Sequence, residues 1–220
     1  MEITTDTLSQ RTILTAVMPF DDINTAEKLL TLADTCQGVA FLPSFMHVAK
    51  TSLSSENRGK LIGLVGYPTG GVSTKTKVNE VRDMVYERAG AFHVVVNTGY
   101  VLSGNWDDIH CELLSIQHAA SQRPVSVIME AAYLSDHQIM RLVNLCADLG
   151  INNIGTNTGW LPMNPDAEQV LRIKEMVHGR MGIIVAGVVN LDQANQYLNA
   201  GADYITIRQQ HAEAIFAQLA

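Results

Sequence analysis

Cysteine is scarce: Cys36, Cys111 and Cys146 are odd in number, far apart and without a Cys-x-x-Cys spacing. That pattern fits reduced thiols packed among helices better than disulfides or a zinc site. Positive charge is thin as well, with 15 Lys plus Arg against 22 Asp plus Glu and the basic residues scattered along the chain. No stripe is offered to a phosphate backbone or an anionic lipid surface, so neither nucleic acid nor a membrane is an expected partner. Long apolar runs are missing. None reaches the roughly 18 residues of a membrane span, and the acidic start Met1-Glu-Ile-Thr-Thr-Asp6 is unlike a secretory leader. A cytoplasmic location is therefore expected. Low-complexity tracts and charge blocks are lacking, which argues against linkers and tails.

What remains is 220 residues, 47% of them hydrophobic, enough to build one core in a single domain spanning 1–220. Short β-branched runs alternate with longer amphipathic stretches. Eight strand candidates begin near Thr12, Gly38, Lys60, Phe92, Pro124, Ile151, Gly182 and Ala202, and most are continuously apolar, as strands covered on both faces should be. Between them the period becomes helical, as in Val78, Val81, Arg82, Val85 and Ala89 or Ile139, Leu142, Val143, Cys146 and Leu149. Asn24, Ser135, Asn164 and Asp166 are candidate caps or near-caps, and Gly90, Gly150, Gly179 and Gly201 stand where helices should stop. Eight βα units predict an α/β fold, a single (β/α)8 TIM barrel. An open doubly wound sheet is the weaker alternative, because no Gly-x-Gly-x-x-Gly follows the first strand.

Five segments in order carry a resemblance. Leu61-Ile-Gly-Leu-Val-Gly-Tyr-Pro-Thr-Gly70, Val94-Val-Val-Asn-Thr-Gly-Tyr-Val-Leu-Ser-Gly104, Val127-Ile-Met-Glu130 with Leu134, Gly155-Thr-Asn-Thr-Gly159 and Gly182-Ile-Ile-Val-Ala-Gly187 resemble the strand ends of the deoxyribose-phosphate aldolase family. The resemblance implies carbohydrate metabolism and a class I aldol lyase, in which a lysine amine condenses with an aldehyde and the iminium acts as electron sink. It also implies departures. Gly155 stands at the Schiff-base lysine position and Ile184 at that of the second lysine; His93 matches the strand 4 acid and Ala16 the strand 1 acid. In the phosphate cradle, Gly187 is followed by Val188 instead of a second glycine, and Arg208-Gln209-Gln210 replaces small hydroxyl residues.

His93, Val95 and Asn97 should share the interior side of one strand, with Glu130 ending the next. That suggests His93 as general base oriented by Glu130, against the plainer reading of a buried polar network. No cofactor is expected, and no metal either, since one histidine at the mouth falls short of a ligand set. Asn97, Asn157, Thr158 and Gly187 are candidate substrate contacts, Asn157 and Thr158 also being ordinary turn formers. Arg208 suits a phosphate or a carboxylate. Tyr67-Pro68-Thr69-Gly70-Gly71 reads first as a sharp turn. Lys75 and Lys77 follow it and are expected on an exposed helix face, poor nucleophiles at a reference pKa of about 10.4. The remaining histidines read as surface residues.

Three functional readings follow: a lyase or isomerase repurposed to general acid/base chemistry on a small polyhydroxylated or anionic ligand, such as a sugar phosphate or hydroxy acid; a catalytically silent small-molecule-binding relative; and an aldolase with a relocated lysine. Apolar residues on the outer helices are compatible with a homodimer.

Overall fold

The β-branched runs are too short for stable helix turns and flank apolar on both faces, and all eight become strands. In the computed structural model, which describes residues 4–54 and 57–218, these are β1 (Thr12–Ala16), β2 (Gly38–Phe41), β3 (Leu61–Val65), β4 (Ala91–Val95), β5 (Val125–Ile128), β6 (Asn153–Gly155), β7 (Gly182–Val188) and β8 (Tyr204–Arg208). Each pairs in parallel with its neighbours in chain order and β8 closes on β1, leaving no free edge. The fold is thus a (β/α)8 TIM barrel. Its outer layer comprises α2 (Ile23–Thr31), α3 (Met46–Ser52), α4 (Thr74–Tyr86), α6 (Trp106–Ala120), α7 (Asp136–Asp148), α8 (Ala167–Val177), α9 (Leu191–Asn199) and α10 (Gln209–Phe216), with a short α5 (Thr98–Ser103) after β4. None of these helices is long and apolar enough to cross a membrane.

Strand alternation divides the apolar residues in two. Ile13, Val17, Ala40, Ile62, Leu64 and Ile184 form a cluster inside the barrel, whereas Leu14, Ala16, Val39, Phe41 and Val65 join the larger core under the helices. Ala16 therefore faces the helices, and the strand 1 residues turned to the interior are Thr15 and Val17. The assignment of a reaction-centre position to Ala16 is corrected accordingly.

Several local expectations also shift. The helix α1 (Thr5–Arg11) was not legible, because its seven residues bury only Leu8. It is held from outside its own sequence, by Arg11 donating to the backbone oxygens of Ala202 at 2.7 Å and Asp203 at 2.9 Å. Ser135 does cap α7, in a reciprocal pair with Gln138, and Asp166 caps α8. At α2 the cap is Asp22 instead of Asn24, its Oδ1 accepting from Thr25 N at 2.8 Å. Gly90 is no helix stop: Arg88 takes the left-handed turn, and Gly90 is needed because a Cβ there would lie 2.3 Å from Gly59 O. Cys36 and Cys146 are buried free thiols, but Cys111 lies exposed on α6.

The clearest correction concerns Lys77. Its side chain is fully buried, and its Nζ donates to Glu112 Oε1 at 2.6 Å and to Val95 O at 2.8 Å. The turn between β3 and α4 brings it behind the strand ends, where Gly66 leaves room for its stem. Lys75 stays exposed, as expected.

Candidate active site at the barrel mouth

Strands of a parallel barrel present their last residues and following loops at one end, and here residues from seven of the eight strands or the loops after them meet around a narrow cavity. It is lined by Thr15, Val17, Leu64, Tyr67, His93, Ile128, Asn157 and Thr158 and, from β7 and β8, by Ala186, Gly187, Thr206 and Arg208. Its volume is about 20 Å³, room for a water.

The loop after β6 is the hub. Asn157 donates from Nδ2 to Ala186 O at 3.1 Å and to Asn164 Oδ1 at 2.7 Å, while its Oδ1 accepts from Ala186 N at 2.9 Å. It ties the ends of β6 and β7 together, so its polar atoms are already engaged. Thr158 donates from its backbone N to Glu130 Oε1 at 3.2 Å and from its hydroxyl to the same oxygen in a short bond. Tyr67 reaches over from β3 and donates its hydroxyl to Thr158 O at 2.8 Å. Its ring stands edge-on to Trp160, centroids 6.3 Å apart. From β8, Arg208 donates to Gly159 O, bridging the mouth. Gly187 has φ +81° and lies so near Gly159 that a Cβ would come 3.3 Å from its Cα; its N donates to Thr206 Oγ1 at 3.3 Å.

Glu130 is the chemically poised group. It is 5% exposed, and burial pushes its carboxyl above the usual range while the two Thr158 bonds pull the other way. Its second oxygen, Oε2, is buried without a hydrogen-bond partner. A carboxyl with a raised pKa and a free oxygen is suited to give and take a proton.

His93 sits lower, at the third position of β4, and is 4% exposed. Burial lowers its imidazole to about pKa 4, so the ring is neutral. Glu130 hydrogen-bonds Thr158 and not His93, so the structure does not place them as an oriented pair; the carboxylate follows β5 out to the loop, above the layer that holds the ring. Neither Glu130 nor Asn97 is among the residues that line the cavity. Asn97 begins α5, where its Oδ1 accepts from Tyr100 N at 3.2 Å. Tyr67 showed in the sequence only as a turn residue and Trp160 was not singled out there, since neither the turn nor the loop reveals which way its ring points.

Among the described residues no lysine lines the cavity. The position of Gly155 is closed to a side chain by Ile128: a Cβ on Gly155 would lie 2.9 Å from Ile128 Cγ1. Ile184, next to it, is 2% exposed in the interior cluster. No group of three or more His, Cys, Asp or Glu side chains suited to a metal occurs among the described residues.

No protein-family model matches the chain. Curated relatives do. The deoxyribose-phosphate aldolase of Klebsiella pneumoniae subsp. pneumoniae is 36% identical over 151 residues, covering 68% of this chain and 61% of that protein, less than two thirds of its length. The deoxyribose-phosphate aldolase of Mannheimia succiniciproducens is 26% identical over 187 residues, covering 82% of this chain and 83% of the relative. Among solved structures, a tetrameric deoxyribose phosphate aldolase from Aeropyrum pernix superposes with a TM-score of 0.88 at 22% identity, covering 98% of this chain and 92% of that one. At that identity the likeness speaks for the barrel alone.

Proposed function

The chain belongs to the deoxyribose-phosphate aldolase family, and from that premise we propose that it is an aldol-type lyase acting on a small anionic hydroxyaldehyde at the barrel mouth. The observation that carries the reading is Glu130, a buried carboxyl with one unpartnered oxygen among the hydrogen-bonding groups of Thr158, Tyr67 and Arg208. In the cleavage direction a base takes the proton from the hydroxyl β to the carbonyl. The carbon–carbon pair then moves onto the carbonyl fragment, leaving a free aldehyde, and the same acid returns the proton to the new carbanion carbon. Glu130 suits both halves because its carboxyl exchanges a proton at a raised pKa. The water-sized cavity implies that Arg208 leaves Gly159 O when substrate enters and turns its guanidinium to the anionic group.

The relatives are named deoxyribose-phosphate aldolases, and the class I chemistry that the resemblance implies favours an aldolase with a relocated lysine over a repurposed acid/base enzyme or a silent binder. Lys75, exposed in the first turn of α4 on the mouth side, is the candidate, since Lys77 is engaged by Glu112. The apolar filling at Gly155, Ile128 and Ile184 favours the second reading, acid/base chemistry by Glu130 with neutral His93 below it. Borohydride trapping with deoxyribose phosphate or acetaldehyde, followed by intact mass and peptide mapping, separates them. An adduct on Lys75 establishes the first. Turnover with no adduct, lost in Glu130→Gln, establishes the second, and binding of both compounds with no turnover leaves the silent binder.

The role of Arg208 has its own expected result. Arg208→Gln should weaken binding of phosphorylated relative to unphosphorylated ligands by roughly 10–100-fold, the loss of a charge-assisted bond. Equal weakening of both in calorimetric titrations would show that Arg208 only braces the loop.

A further inference from the structure

A larger cavity, about 390 Å³, lies at the opposite end of the barrel, where the strands begin. Layers of side chains ordinarily fill a barrel there. Here small groups occupy the first interior layer: Ala91 opens β4 and Ser126 is second in β5. Gly182 opens β7 beneath Asn153, so closely that a Cβ would lie 2.3 Å from Asn153 Oδ1. The void therefore extends to His93, two residues and about 7 Å along β4 from Ala91.

Its inner surface has a definite chemistry. The His93 ring is buried, lines the cavity and makes no hydrogen bond among the described residues. Ser126 Oγ accepts from Asn153 Nδ2 at 3.0 Å and keeps its own proton for another acceptor. Tyr204 lines the same space, and Ile13, Ile62 and Ile184 form its apolar side. The one charged residue among those that line the space is Lys60, whose ammonium donates to Ala33 O at 2.8 Å. No carboxylate lines the space among the described residues, so a cation finds no counter-charge, and an anion would be buried against isoleucines at high cost. The volume is that of an ordinary small-molecule pocket.

We propose that this rear cavity is a second binding site, for a small uncharged hydroxylated molecule held by His93, Ser126 and Tyr204. A neutral imidazole offers one donor and one acceptor, which matches a hydroxyl group. The site opens at the other end of the barrel from the mouth, and the two cavities share only His93 among their lining residues.

Erythritol is a suitable probe, with acetate as the charged control, and histidine-selective NMR reads the His93 ring directly. Erythritol should shift the His93 signals saturably. Ala91→Leu, which fills the cavity, should weaken that response at least roughly tenfold, and Ser126→Ala, which removes a hydrogen bond without changing the packing, by roughly three- to tenfold. Ala91 takes no part in the mouth, so turnover there should persist in Ala91→Leu. The proposal is overturned if erythritol gives no saturable shift, if the response is the same in both variants, or if acetate binds more tightly than erythritol. Should Ala91→Leu fail to fold, Ser126→Ala alone decides by the same criterion.

Discussion

Lys77→Met should destabilise the protein by about 3–5 kcal/mol, the usual consequence of leaving one member of a buried ion pair without its partner. Lys77 is fully buried, and burial pulls its amine below the usual range while Glu112 and Glu80 hold it up. Its removal strands Glu112, whose remaining bond comes from Thr74 Oγ1 at 3.2 Å, and deprives Val95 O of a donor. The double variant Lys77→Met/Glu112→Leu should recover most of the loss, because a packed apolar pair needs no counter-charge. Urea denaturation checks this as a lowered midpoint at unchanged slope. A loss under about 1 kcal/mol, the range of an exposed pair, would mean that water reaches Glu112. The pair matters to the mouth because it fastens the end of β4, while Glu80 Oε2 accepts from Gly66 N at 2.7 Å and fastens the end of β3 just before Tyr67.

The second large effect is a loss of stability in mild acid. Native His93 titrates at about 4, whereas in the unfolded chain it titrates near its ordinary value of about 6.5. Between those limits the unfolded state binds more protons, so stability falls as pH falls. The contribution is complete above about pH 6.5 and lost by about pH 4, with a size on the order of 3 kcal/mol at 1.36 kcal/mol per unit. His93→Phe removes this slope while keeping a ring of similar bulk. Comparing urea midpoints of the two proteins at pH 7 and pH 4.5 isolates it, because the carboxylates are common to both. Parallel pH dependence, or an imidazole titrating near 6.5 by NMR, contradicts the burial argument.

The site was only partly legible beforehand. Glu130, Thr158, Gly187 and Arg208 stand at strand ends in sequence, and strand ends of a parallel barrel meet in space. The uses of Asn97 and Asn157 were not legible, since Asn97 Oδ1 accepts from Tyr100 N and the Asn157 carboxamide is taken up by Ala186 and Asn164. A one-dimensional pattern gives residue type and face but not hydrogen-bond occupancy. Lys77 failed for the same reason. Its helical position predicted exposure, and only the approach of α6 with Glu112 makes burial tolerable.

The sequence by itself determined the barrel: eight short apolar runs separated by one-faced helices admit few other closures, and the order of the strand-end motifs carried the family. It also determined that Gly155 and Ile184 offer no amine, because residue identity needs no coordinates. The tertiary structure alone decided that Ile128 occupies the space beside Gly155, that Glu130 bonds Thr158 and not His93, and that His93 stands between a water-sized mouth and a larger rear cavity. Those facts depend on distances between side chains remote in the chain, which packing fixes and local propensity does not.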